Sequence, residues 1–231
     1  MKQGTLIDLT REHHTRMPVY RVLPRTFLDR YVNFEDYEGG KSPIWPGSSD
    51  IWMTSTHAGT HIDAPAHMKP GIQTIDKCDL DLMYGDAIRV DFSHLSPGDE
   101  ISLSMLREKL VERSLALEPR LIVLFHTGMS ALWEQPVYME NPVGISPEAV
   151  TWMLDQGVMV YGMDTSTPDV DSLAMPNHQL LGKRPHHHIE NLVNLDRIPV
   201  DRFTFFGFPL RLRNATASPI RALALIEEAP A

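Results

Sequence analysis

Short apolar runs punctuated by turns organise most of the chain. Thr5 to Leu9, Ala87 to Phe92, Arg120 to His126, Val158 to Met163, Phe203 to Phe208 and Ile220 to Ile226 have the length and composition of strands. Two stretches switch to helical spacing. Leu103, Leu106 and Leu110 recur on one face behind Ser102, whose hydroxyl suits a helix cap. Ser146-Pro147-Glu148 opens a second helix with proline at its first position, and Gly157 is a natural stop. Ser96-Pro97-Gly98-Asp99 reads as a turn. Strands alternating with two or three helices predict an α/β fold.

Residues 13–50 break this rhythm. They carry Pro18, Pro24, Pro43, Pro46 and the pair Gly39-Gly40, and read as a long irregular stretch. Tyr20, Phe27, Tyr31, Phe34, Tyr37 and Trp45 give it enough aromatic surface to line a pocket, cover a neighbouring subunit or wrap its own core. The segment is expected to act as a lid or an intersubunit arm.

At 231 residues without repeat or linker, one domain spanning 1–231 is the expectation. A hydrophobic content of 42% and a charged content of 22% are ordinary for a globular protein. The net charge of −9, with no long basic run, argues against a nucleic-acid partner. Cys78 is the single cysteine and cannot form an internal disulfide, which fits a reducing cytoplasm. No apolar run approaches a membrane span, and the first residues lack the apolar core of a signal peptide, so a cytoplasmic location is expected.

Candidate chemistry is concentrated in His57-Ala-Gly-Thr-His61-Ile-Asp63-Ala-Pro-Ala-His67. His57, His61, Asp63 and His67 are all odd-numbered, so extended backbone would turn them to one side, with Gly59 leaving room between them. Gly59, Thr60 and Pro65 disfavour a helix, and Ala58 stands where a zinc-protease helix has its glutamate base. Pro65 should end the strand near Asp63, leaving His67 just beyond. Imidazole and carboxylate donors without thiolate suit zinc or manganese. Elsewhere, His186-His187-His188 is weighted low as a ligand group because adjacent side chains diverge, although His188 could support a ligand. His13-His14 reads as surface. Asp164 could orient a ligand or support a turn, with the turn slightly favoured, and Thr127-Gly128 after a buried strand could approach the pocket or only permit a turn. Neither a serine-nucleophile motif nor a phosphate loop is present.

The HxGTHxDxPxH pattern resembles the signature of the metal-dependent cyclase family, which includes bacterial kynurenine formamidases and isatin hydrolases. Gly162-Met-Asp-Thr-Ser-Thr-Pro-Asp169, His178-Gln-Leu-Leu-Gly, His188-Ile-Glu190-Asn-Leu, Phe208-Pro-Leu-Arg-Leu and Ala217-Ser-Pro-Ile-Arg-Ala222 are similar to later blocks of that family. The resemblance implies a swivelling β/β/α fold. It also implies that His57, His61, Asp63 and Glu190 hold one divalent metal, that Asp63, His178 and Glu190 hold a second when present, and that His67 transfers protons. The implied reaction is hydrolysis of a C–N bond in a small amide, aryl formamide or cyclic amide by a metal-bound hydroxide, without a covalent intermediate. A lactone-opening hydrolase is the near alternative, and a non-catalytic metal or small-molecule binding protein is the distant one. Homodimers or homotetramers are implied as well. The family's early Pro-x-aromatic-Pro-Gly segment contributes to its substrate pocket, and this chain departs from it. Met17-Pro-Val-Tyr20 stands at the early position, while Trp45-Pro-Gly47 comes later, so Tyr20 and Trp45 are the candidate substrate contacts.

Overall fold

The computed structural model describes residues 4–33 and 47–227. Strand β1 (Gly4–Asp8) precedes a two-stranded antiparallel ribbon, β2 (Phe27–Val32) with β3 (Ser49–Met53), and then the short β4 (His61–Asp63). Next come β5 (Tyr84–Asp91), β6 (Glu100–Ile101), β7 (Ile122–His126), β8 (Gly144–Ile145), β9 (Val160–Met163) and β10 (His187–Glu190). Helices Leu103–Glu112, Pro136–Glu140, Pro147–Asp155 and Pro176–Lys183 lie between them. The described chain finishes on β11 (Arg202–Phe206), β12 (Ala217–Pro219) and β13 (Leu223–Glu227).

Nine strands form one mixed sheet in the order β1-β13-β11-β5-β7-β9-β10-β4-β12. Its centre, β5-β7-β9-β10, is parallel, and the flanking pairs are antiparallel. Parallel strands need both faces covered, which is why β7 is buried at every position. Val123, Phe125, Tyr161 and Met163 face one core, shared with Leu106 and Leu110 of one helix and Val150 and Met153 of another. Ile122, Leu124, Val160 and Ile189 face a second core. That second core also takes in Ile7 of β1 and Ile62 of β4, from distant positions in the strand order, so the sheet curls around it. Each fully buried Ile, Leu or Phe of this kind stabilises the fold by about 1.5–3 kcal/mol.

The expected helix signals hold. Ser102 Oγ accepts from Met105 N at 3.3 Å, and Ser146 Oγ accepts from Ala149 N at 3.2 Å. Gly157 ends the second helix at φ 86°, where an added Cβ would sit 2.9 Å from Pro119 Cα.

Three readings of the sequence need correction. Residues 13–50 are not irregular throughout, because β2 and the start of β3 lie among them. Among the described residues the expected two or three helices are four, since Pro136–Glu140 and Pro176–Lys183 carry little apolar periodicity. The strand expected to carry the His57–Asp63 ligands is only His61–Asp63, and His57 lies in the turn before it. Trp45, Phe34 and Tyr37 lie outside the described residues.

Candidate metal centre

Antiparallel pairing of β4 with β10 sets the geometry. His61 lies opposite Glu190 and Ile62 opposite Ile189. Alternation then turns His61 and Asp63 of one strand, and His188 and Glu190 of the other, toward the same side. Ile62 and Ile189 point the opposite way into the second core. Helix Pro176–Lys183 brings His178 against this pair from its first turn.

The two carboxylates divide their oxygens between two sets of imidazoles. Asp63 Oδ1 is 2.9 Å from His57 Nδ1 and 3.3 Å from His61 Nε2, while Glu190 Oε2 is 3.5 Å from His61 Nε2. The other oxygens face away from these. Asp63 Oδ2 is 3.8 Å from His178 Nε2, and Glu190 Oε1 is 3.4 Å from the same atom. His67 Nε2 stands 3.7 Å from Asp63 Oδ2, its ring 4.0 Å from that of His57. The structure therefore brings His57, His61, Asp63, His67, His178 and Glu190 together.

Hydrogen bonds around the rim orient the rings. His61 Nδ1 donates to Gly59 O at 2.8 Å, which leaves its Nε2 as a lone-pair donor aimed at the carboxylates. Gly59 adopts φ 65°, and a Cβ there would lie 2.6 Å from His13 Nε2. His13 is thus packed over the turn rather than left on the surface as expected. Asn191 Nδ2 also donates to Gly59 O, and Tyr138 Oη donates to Asn191 Oδ1. His178 Nδ1 meets Asp169 Oδ2 at 2.6 Å, and the same carboxylate accepts from the backbone of Asn177 and His178. Asp169 therefore caps the helix and orients the His178 imidazole at once. On the other side, His57 Nε2 bonds Thr216 Oγ1 at 2.9 Å. Asp164 spends its carboxylate on Thr127 and Gly128, as a turn support.

Sequence reasoning missed four of these residues. Asp169 and Asn191 carried no signal beyond their place in motifs, and Thr216 stands one residue before the last of them. His188 was weighted low with its neighbours, yet its Nε2 lies 3.3 Å from Asp63 Oδ2 and 3.3 Å from Glu190 Oε1. His187 diverges as expected, donating from Nδ1 to Asp63 O, and His186 stacks on Tyr161.

The electrostatics call for a cation. Both Asp63 oxygens, Glu190 Oε1 and both ring nitrogens of His188 are buried without a hydrogen-bond partner. Leaving such groups unmatched is costly, and a divalent ion is the chemistry that matches imidazole lone pairs with carboxylates. Burial works against ionisation of Asp63, but His57 and the adjoining His188 and His61 outweigh it and hold the carboxyl well below its usual range. Burial pushes His67 down to about 4, with Asp63 opposing and the neighbouring imidazoles assisting.

The centre opens into a cavity of about 270 Å³. Val19, Tyr20, Leu23, Met139 and Met175 form much of its wall, so one of the two candidate substrate contacts does face it. His57, His67, His178 and Glu190 reach its surface from the centre.

A buried histidine–carboxylate centre beneath an apolar cavity on a mixed α/β sheet is the arrangement of a metal-dependent hydrolase. A family model described as "Putative cyclase" matches residues 7–170, and the chain belongs to that cyclase family. It is 32% identical over 183 residues to the kynurenine formamidase of Paracidovorax citrulli, covering 78% of this chain and 81% of that one. The kynurenine formamidase of Salinibacter ruber is 29% identical over 207 residues, covering 81% and 92%. The fold is shared with isatin hydrolase A from Labrenzia aggregata, bound to benzyl benzoate, at a TM-score of 0.85 and 24% identity, covering 97% and 94%. Among the described residues, no helix is long and apolar enough to cross a membrane.

Proposed function

We propose that the protein hydrolyses a C–N bond in a small amide, with an aryl formamide or a cyclic amide as substrate. The observation that carries this is the set of buried, unmatched carboxylate oxygens and imidazoles at the base of an apolar cavity. His57, His61, Asp63 and Glu190 would hold one cation, and Asp63, His178 and Glu190 a second. Zinc or manganese suits these donors, with one or two ions per subunit. A divalent cation bound there supplies Lewis acidity that polarises a carbonyl and lowers the pKa of water from 15.7 to about 7.

The chain's own groups do the rest. Asp63 and Glu190 supply the negative charge that a cation needs. Val19, Leu23, Met139 and Met175 surround a flat or apolar substrate and exclude water from it. Tyr20 offers an aromatic face on the same wall. His67 is at the cavity surface and, with its pKa held near 4, is neutral at pH 7. Its free imidazole accepts the proton of the attacking water and returns it to the leaving nitrogen.

The working form is a cytoplasmic homodimer or homotetramer that needs neither nucleic acid nor membrane. The β2–β3 ribbon supports the oligomer. Tyr31 is 73% exposed and Met53 60%, an apolar surface that a partner subunit would cover. Light scattering tests this, and an active monodisperse monomer at all concentrations removes it. For the reaction, metal analysis of the purified protein is combined with a panel of N-formylkynurenine, isatin and simple lactones. Turnover of the first two substrate types supports the proposal. Lactone opening alone, or no turnover by metal-loaded protein, overturns it.

A further inference from the structure

We infer that His188 is itself a metal ligand, completing with Asp63, His178 and Glu190 a second four-donor cation site. The inference rests on the metal-dependent reading above and extends it to a residue outside the expected ligand set.

The argument starts from register. His188 stands two positions before Glu190 on β10, so both side chains leave the strand on one side. The pairing of Ile189 with Ile62 sets His188 across from Asp63. Its ring is almost fully buried, at 1% exposure, and edge-on to His178 at 4.8 Å.

Distances then separate coordination from hydrogen bonding. An ion about 2.1 Å from four tetrahedral donors holds those donors about 3.4 Å apart. His188 Nε2 lies 3.3 Å from both Asp63 Oδ2 and Glu190 Oε1. His178 Nε2 lies 3.8 and 3.4 Å from the same two oxygens. All four donor atoms lie within 4.8 Å of one another, and these four separations lie within a few tenths of an ångström of a tetrahedral edge. They are long for charge-assisted hydrogen bonds, which run to about 2.7–2.9 Å.

The division of oxygens gives the same result independently. Asp63 Oδ1 and Glu190 Oε2 face His57 and His61, whereas Asp63 Oδ2 and Glu190 Oε1 face His178 and His188. Each side then has one oxygen from each carboxylate; the first has His57 and His61, and the second has His178 and His188, with His67 Nε2 at its edge 3.7 Å from Asp63 Oδ2. Without His188, the second side has three donors and a buried imidazole with no partner for either nitrogen. His186 and His187 do not share this role: His186 stacks on Tyr161, and His187 leaves β10 on the opposite side from His188 and Glu190.

The test loads the full chain with zinc, dialyses it and counts metal. Wild type should retain about two zinc ions per chain, while His188→Gln and His188→Leu retain about one. Circular dichroism and elution volume check that both variants keep the fold, and His186→Gln serves as a control that retains about two. Equal zinc content in wild type and folded His188 variants, whether one ion or two, overturns the inference and leaves the hydrolase reading intact. Absence of any bound metal in wild type overturns both. Anomalous diffraction from zinc-loaded wild type needs no variant. A peak about 2.1 Å from His188 Nε2 supports the ligand, and zinc elsewhere with none there overturns it.

Discussion

Residues 57–67 and residues 169–190 supply the same centre by different means. The first stretch packs four candidate groups into eleven positions and orients them through its own turn. His61 Nδ1 donates to Gly59 O only two residues back, and His67 follows in a short 3-10 turn started by Pro65. The second stretch draws its donors from a helix and a strand. His178 depends on a carboxylate nine residues earlier, and Glu190 depends on pairing with a strand more than a hundred residues away. Ligands close in sequence are pre-organised by local backbone, whereas distant ones need a holder. Asp169 is that holder for His178, and it caps the helix and fixes the imidazole with one side chain.

Both halves converge on the candidate metal centre, so metal removal has the largest expected effect. Chelation should reduce hydrolysis to background, and zinc or manganese should restore it. Full activity in verified metal-free protein defeats the whole assignment. Glu190→Ala should come next, because one carboxylate serves both halves. Metal content after dialysis should collapse along with activity, and an unchanged metal count would return Glu190 to a structural role.

His67 separates binding from chemistry within the proximal half. His67→Gln should keep its metal while losing roughly 10²–10⁴ in rate, the usual size of general acid–base catalysis. If metal is lost too, His67 belongs with the ligands, as its proximity to His57 and Asp63 would then mean.

A subtler change probes the holder. Asp169→Asn should weaken metal affinity by about 10–100-fold, as for other partners of ligand histidines. The loss should fall on the distal position alone, leaving the cation beside His57 and His61 in place. Uniform weakening of both would show that the two halves are not independent.

The smallest effect concerns acid stability in the distal half. Burial holds His186 at about 3, below its ordinary value of 6.5. Between those values the unfolded chain takes up a proton that the folded chain refuses, so acidification through this window favours unfolding. Above it the residue has no such effect. In metal-free protein, His186→Gln should therefore lose less Tm than wild type between about pH 7.5 and pH 5. An equal loss would mean that other groups set the acid response.

Local rules carried the sequence reading a long way. Buried strands such as β7 are continuous apolar runs because both sides of them face a core, and Ser102 and Ser146 cap helices through contacts three residues away. Other elements had no such signal. The β2–β3 ribbon buries little, so selection for a dry face left no alternation in Phe27–Val32. Helix Pro176–Lys183 is capped by Asp169 instead of by an adjacent residue, and Met175 precedes it in a left-handed conformation. Tyr20 could be named as a wall residue from the resemblance of Met17-Pro-Val-Tyr20 to the family's early segment, but its cavity is completed by Met139 and Met175 from other elements.

The sequence by itself determined that the chain alternates strands with helices, and it singled out the histidine–aspartate stretch as the candidate cation site. Those conclusions rest on side-chain chemistry and on contacts a few residues apart. Only the tertiary structure decided which side of His186-His187-His188 meets Asp63, because a two-residue period says that His186 and His188 share a face without saying what lies opposite it. The answer comes from the register of β4 against β10 and from the helix that lays His178 beside them. Such long-range pairing depends on the packing of both cores together, and no local pattern encodes it.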